Sequence, residues 1–203
     1  MLLREMNHRI KNLFALASGV VTLSAHSAKT APELAEIVGN RLGALARAHA
    51  LTLPEITGTG TKIERSTTLA ALLRAVLSPY VAAPHEPVGG MAIAGPEILV
   101  GAKAATSFAL LLHEFATNAA KYGALSSTAG AVSVEWSVDD DRLNLTWRER
   151  GGPTLAHEPD FQGFGSRLIA RILEDMFRGK ISRDWARSGL TIRLSMPTDG
   201  LAQ

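Results

Sequence analysis

Apolar residues recur every three or four positions along the first fifty residues, which is the spacing of amphipathic helices. One stripe runs through residues 2–24 and a second from Leu34 to Ala48. Between them Thr30 is suited to cap a helix and Pro32 to lie in its first turn. The pattern predicts a helical hairpin. Its two apolar stripes are most simply covered by a second copy of the chain, which predicts a dimer containing a four-helix bundle.

After residue 61 the pattern changes and predicts helices combined with strands. Residues 55–61 are rich in glycine and threonine, so we place a domain boundary there, between residues 1–56 and 62–203. Helices are predicted over residues 66–81, 102–122 and 166–177. Strands are predicted over residues 88–94, 97–100, 132–138, 143–147, 180–186 and 190–196, and residues 139–141 form a polar turn. The second domain is therefore α+β, with helices on a mixed sheet and a long functional loop at residues 151–165.

Composition narrows the class of protein. The 46% of apolar residues can form a packed core, and the formal net charge of only +2 gives no case for a nucleic-acid partner. The chain has no cysteine, no signal peptide and no membrane span, so we expect a cytoplasmic location. Because a helix is predicted from the first residue, we also expect a fragment whose upstream sensor domain is missing.

Polar side chains interrupt the apolar pattern of the helix at residues 102–122. Glu114, Asn118 and Lys121 are spaced so that they share one helical face, where a carboxylate, an amide and an ammonium can meet a metal ion and a phosphate. The alternative is an ordinary solvated face. Further along the chain, Gly151-Gly152 and Gly163-Phe164-Gly165 allow a backbone to approach a ligand closely. The second pair is also compatible with a tight turn into a helix.

Several segments together resemble one known family. Asn7-His8-Arg9-Ile10-Lys11-Asn12 resembles the phosphoacceptor box of the HWE sensor histidine kinases. The helix with His113, the strand end Trp147-Arg148-Glu149 and the segment from Gly163 to Ile169 extend the resemblance over nearly the whole chain, in the right order. The His, Trp and Glu that name the family correspond to His113, Trp147 and Glu149. The resemblance implies a dimeric helical domain followed by an α/β-sandwich ATP-binding domain of the type shared with gyrase and Hsp90.

The resemblance makes His8 the phosphoacceptor, because a neutral imidazole on a helix is a nucleophile near neutral pH. Asn12 lies one turn later and can orient the ring or an entering water. In the commoner histidine kinases an acidic residue follows the histidine directly, but Arg9 occupies that position here. Glu5, one turn earlier, is a candidate to polarise the imidazole, and the proton acceptor stays open. Without the other motifs, His8 would be interpreted as a surface histidine.

The nucleotide site implied by the resemblance contains ATP and Mg²⁺. Asn118 would hold the metal ion, Glu114 would position or deprotonate a metal-bound water or order the magnesium's second shell, and Lys121 would contact the phosphates. Glu149 would accept a hydrogen bond from the adenine amino group. The other expected nucleotide contacts are His113, Tyr122, Trp147, Gly151, Gly152, Gly163, Gly165, Ser166 and Arg167. Core packing is the favoured alternative for Trp147, a structural role is an equal alternative for His113, and a surface position is the usual one for an arginine such as Arg167.

The function implied is that of a sensor histidine kinase core. The γ-phosphoryl of ATP would pass to His8 and then to an aspartate in the receiver domain of a response regulator, as in two-component signalling. Two alternatives are left at this point. One is a dimeric phosphotransfer scaffold that binds no nucleotide, and the other is a GHKL-type ATPase or serine/threonine kinase in which the hairpin serves only for dimerisation.

Overall fold

The structure is a computed structural model. It describes residues 14–22, 24–26, 28–53, 55–56, 62–63, 66–80, 90–154, 169–170 and 172–202, with the backbone alone at 55–56 and 62–63. The candidate site residues Glu5, His8, Asn12, Gly163, Gly165, Ser166 and Arg167 lie outside these ranges.

The described part of the N-terminal region is helical, as its apolar periodicity predicts. Helix α1 covers residues 14–22 and continues at 24–25, and α2 spans Ala31–Leu51. Thr30 caps α2, since its side-chain oxygen accepts a hydrogen bond from the Glu33 amide at 3.3 Å, and a proline stands in the first turn. The predicted cap is thereby confirmed.

Two short strands flank the predicted domain boundary. β1 (Glu55–Ile56) pairs antiparallel with β2 (Lys62–Ile63), so the chain folds back on itself between α2 and the next helix. The position of the boundary itself stays a prediction.

A mixed sheet of five strands forms one layer of the remaining chain. Its order is β4 (Met91–Ala94), β6 (Ala131–Asp139), β7 (Arg142–Arg150), β9 (Gly189–Pro197) and β8 (Lys180–Ala186). β4 is parallel to β6, and the other neighbouring pairs are antiparallel. Asp140 and Asp141 join β6 to β7 with φ angles of 48° and 57°, which a two-residue hairpin turn requires. The predicted mixed sheet and polar turn are both confirmed.

Three helices form the second layer: α3 (Leu69–Leu77), α4 (Ala102–Tyr122) and α5, described at residues 169–170 and 172–177. The bounds of α4 are those predicted. α3 begins three residues later than predicted, because β3 (Thr67–Thr68) pairs with β5 (Leu99–Val100) and Thr68 caps the helix. α5 contains a π-helical turn at Ile172–Met176 that the sequence pattern does not predict. Among the described helices, none is long and apolar enough to cross a membrane.

The core lies between these helices and one face of the sheet. Every second residue of β7 and β9 is buried there, against Leu72 of α3 and Phe108 and Phe115 of α4. Because the other face of β6 is largely exposed or half-buried, the arrangement is a two-layer sandwich.

Helix α2 also packs on this unit. Ala44 and Ala48 are completely buried in the main core, and Leu45 forms a smaller cluster with Val20 and Leu110. The chain's own α3 and α4 therefore cover the second half of the α2 stripe, whereas Leu34, Ile37 and Val38 in its first half are only half-buried. The dimer through the hairpin stays a prediction. On α1, Phe14 and Val21 remain exposed.

Candidate functional site

The end of α4 and the end of β7, separated by about 25 residues of sequence, are joined by Glu149. Its Oε2 accepts a hydrogen bond from the Ala124 amide at 2.8 Å, and its Oε1 accepts one from Trp147 Nε1 at 3.0 Å. The side chain is buried, and this burial raises the pKa of Glu149 although both hydrogen bonds oppose the change. Glu149 thus brings the segments 118–124 and 147–152 into one place.

Gly151 and Gly152 follow Glu149 and pack on the same segment. Gly151 has φ +70°, a conformation that favours glycine, and a Cβ there would overlap the Ala129 carbonyl oxygen. A Cβ on Gly152 would lie 2.8 Å from both the Cα and the amide nitrogen of Ala124. Close packing of the protein on itself therefore already requires small residues here, whatever their contact with a nucleotide.

The last two turns of α4 present polar side chains to solvent. Asn118 and Lys121 are exposed, and Tyr122 is 72% exposed. The Asn118 side chain forms no hydrogen bond within the part of the chain that the structure describes, so its carboxamide oxygen is available as a hard ligand of the kind that Mg²⁺ accepts. The donor chemistry at this position fits a magnesium ion.

Glu114, one turn before Asn118, has a different environment from the solvated face that was the alternative prediction. It is buried, and its Oε1 accepts a hydrogen bond from Arg41 Nε of α2 at 2.7 Å. Arg41 Nη1 in turn donates to Ser24 Oγ at 2.7 Å. The structure therefore separates the three residues of the predicted face into one buried, paired carboxylate and two exposed side chains.

His113 belongs to a polar cluster on the neighbouring face of α4. Its Nδ1 and the Thr117 hydroxyl each lie 3.0 Å from the Tyr80 hydroxyl, within hydrogen-bond distance. Desolvation lowers the pKa of His113 to about 4. The negative charge of Glu114 raises this pKa, whereas the positive charges of Arg41, Arg47 and Lys121 lower it further. The imidazole is therefore neutral near pH 7, and these contacts agree with the structural role that was one of the two alternatives.

Trp147 is completely buried and packs against Phe115, with ring centroids 5.7 Å apart. This is the core position that the alternating pattern favoured. Because the side chain is covered by protein, its ring has no exposed face for the direct nucleotide contact that the resemblance implies. Its Nε1 donates to Glu149, so Trp147 orients that carboxylate.

Sequence reasoning missed four residues of the site: Arg41, Ser24, Tyr80 and Thr117. For Arg41 a signal is present, because it lies four residues after Ile37 and four before Leu45, in the middle of the apolar stripe of α2. A charge at such a position needs a buried partner of opposite sign. The other three carry no distinctive pattern.

Comparison with known proteins agrees with this architecture. A family model described as HWE histidine kinase matches residues 5–97. The chain is 34% identical over 195 residues to blue-light-activated histidine kinase 1 of Erythrobacter litoralis, covering 95% of this chain and 52% of that protein. It is 33% identical over 199 residues to a blue-light-activated histidine kinase of Brucella anthropi, covering 96% of this chain and 38% of the relative.

Among solved structures, the histidine kinase domain of a blue-light-activated histidine kinase from Erythrobacter litoralis has a similar fold. It superposes with a TM-score of 0.61 at 14% identity, covering 93% of this chain and 98% of that domain. The chain spans about half the length, or less, of the curated relatives it matches. The match to the family model over residues 5–97 and the two relatives make this chain similar to the HWE histidine kinases, and its fold is that of a histidine kinase domain.

Proposed function

We propose that this chain is the catalytic core of a sensor histidine kinase, which transfers the γ-phosphoryl group of ATP to His8 and then to an aspartate of a response regulator. The similarity to HWE histidine kinases supports the reaction class. The observation that carries the proposal is the convergence at Glu149, which places the exposed end of α4 beside the glycine pair that follows β7.

Each part of this convergence has a chemical role in binding a nucleotide. Glu149 keeps its carboxylate oriented by the Ala124 amide and Trp147 Nε1, and a carboxylate oxygen has lone pairs left to accept from an adenine amino group. Lys121 offers a mobile positive charge for phosphate oxygens. Tyr122, beside it, is exposed enough to cover part of the ligand.

Asn118 would hold Mg²⁺ through its carboxamide oxygen, with Glu114 in reach of the same face one turn away. Bound Mg²⁺ neutralises phosphate oxygens during phosphoryl transfer. Since such a transfer depends mainly on alignment and charge neutralisation, the protein's task is to hold these side chains and bring His8 into line.

We further propose a homodimer and a cytoplasmic location. Phe14 and Val21 lie seven residues apart on α1 and are 69% and 42% exposed, so they share one face that a second copy can cover. The receiver domain of a response regulator is the proposed partner for the phosphoryl group on His8.

The test is labelling with γ-³²P-ATP. We expect a label that is lost in acid and retained in alkali, as phosphohistidine is, and that disappears in His8→Gln. His26→Gln, at another histidine that is exposed, is the matched control and should label normally. A label that survives acid indicates a serine or threonine kinase, ATP hydrolysis without label indicates an ATPase, and full labelling of His8→Gln removes His8 as the acceptor.

A further inference from the structure

A buried ion pair joins the hairpin to α4. Arg41 Nε donates to Glu114 Oε1 at 2.7 Å, and the two side chains are only 6% and 8% exposed. Arg41 also donates to the Ser24 hydroxyl, which donates to the Val20 carbonyl at 2.6 Å. A chain of hydrogen bonds therefore runs from α1 through α2 to α4.

The pair is buried, and apolar side chains lie one helical turn from each of its members. Leu45 lies one helical turn after Arg41 and Leu110 one turn before Glu114, and both belong to a buried apolar cluster with Val20. In such surroundings a charge that loses its partner is strongly unfavourable, so the pair forms and separates as a unit. The ion pair therefore favours one particular placement of α2 against α4.

Arg41 engages the carboxylate of Glu114, which lies one helical turn before the exposed Asn118. A guanidinium at 2.7 Å cancels most of the attraction that the carboxylate would exert on a nearby metal ion, and its own positive charge repels that ion. Glu114 cannot serve fully as the partner of Arg41 and as a group that orders the water of a bound cation.

We propose that Arg41 and the Mg²⁺–nucleotide compete for Glu114, so that the docked hairpin holds the chain in a state of low nucleotide affinity. The inference rests on the proposed function, because it takes the α4 face as the nucleotide site. By linkage, bound nucleotide weakens the docking of α2 by the same factor by which docking weakens nucleotide binding.

The experiment measures the dissociation constant of the Mg²⁺ complex of the non-hydrolysable analogue AMP-PNP by titration calorimetry. We expect Arg41→Gln to bind about tenfold more tightly than the wild type, within the usual range of coupling between sites. Arg74→Gln is the matched control, since Arg74 is an exposed arginine of α3, and should bind as the wild type does. Unchanged or weaker binding by Arg41→Gln with a wild-type circular dichroism spectrum overturns the proposal.

Two further variants keep the test decisive if Arg41→Gln does not fold. Ser24→Ala removes one hydrogen bond of Arg41 but keeps both charges, and we expect about threefold tighter binding. In a Glu114→Gln background, Arg41→Gln should give no further gain, because the two act through each other. A gain that persists in that background shows that Arg41 acts elsewhere and refutes the mechanism.

The outcomes separate the two proposals. Nucleotide binding by the wild type without any gain in the Arg41 and Ser24 variants refutes the competition alone. Failure of the wild type and all variants to bind refutes the nucleotide site, and the competition is refuted with it.

Discussion

The protonation of His113 gives a quantitative prediction for the stability of the fold. Its pKa falls from 6.5 to about 4 on folding, chiefly because the imidazole is desolvated between α4 and Tyr80. Between these two values the unfolded chain binds a proton that the folded chain does not. Stability therefore rises with pH in this window, and the contribution of His113 is complete above pH 6.5 and lost as the pH falls through 4.

The magnitude follows from the difference of about 2.5 pKa units. At about 1.4 kcal/mol per unit, acidification from pH 6.5 to 4 should destabilise the fold by about 3 kcal/mol through this one residue. The positive charges of Arg41, Arg47 and Lys121 act in the same direction, whereas Glu114 opposes it.

Urea unfolding of the wild type and His113→Gln at several pH values between about 4.5 and 7.5 isolates this contribution, since the other titrating groups are common to both proteins. The stability advantage of the wild type should shrink by about 1.4 kcal/mol for each pH unit below 6.5. Tyr80→Phe is the control: it removes a hydrogen bond but not the burial, so it should keep the wild-type slope. If the wild-type and His113→Gln curves run parallel, the histidine is not buried as described.

Three further substitutions test the site. Asn118→Asp should abolish labelling by ATP with a near-normal melting temperature, because the side-chain volume barely changes while a negative charge faces the phosphates. Asn40→Asp, on the exposed side of α2, is the control and should label normally. Trp147→Phe should lower the free energy of unfolding in urea by about 2 to 3 kcal/mol, because Glu149 Oε1 loses its donor and a cavity forms. Trp185→Phe, at a half-buried position, is the control and should lower it by less than about 1 kcal/mol. Gly151→Ala should destabilise by more than about 1 kcal/mol because φ is +70°, whereas Gly39→Ala, in an open position of α2, should stabilise by about 0.5 kcal/mol; equal effects would contradict the backbone argument.

The sequence predicts those elements whose signals are local. The bounds of α4 follow from its apolar run between Gly101 and Gly123, and the β6–β7 hairpin follows from alternation around Asp140 and Asp141. Thr67–Thr68 was missed as a strand because its pairing partner, Leu99–Val100, lies about thirty residues away. Local pattern carries no information about such a partner.

For the candidate site, too, the sequence predicts the features that depend on local spacing and misses those that depend on packing. The spacing of Glu114, Asn118 and Lys121 correctly places them along one helix, and the pattern of β7 correctly buries Trp147. The pattern does not predict that Arg41 covers Glu114, because that contact depends on how α2 packs across α4, 73 residues away in the chain. Tertiary packing decides which polar side chains of a helix meet solvent.

The fold-back of β1 on β2 shortens the tether between the hairpin and the sandwich. Pairing brings Glu55 next to Ile63, which removes about 20 Å from the greatest distance that the connection can span at about 3.4 Å per residue. An isolated pair of two-residue strands is only marginally stable in water, so separating β1 from β2 and extending the connection costs little free energy. The connection therefore has two lengths, and for His8 as the proposed acceptor the shorter one would raise the effective concentration of the imidazole near the sandwich.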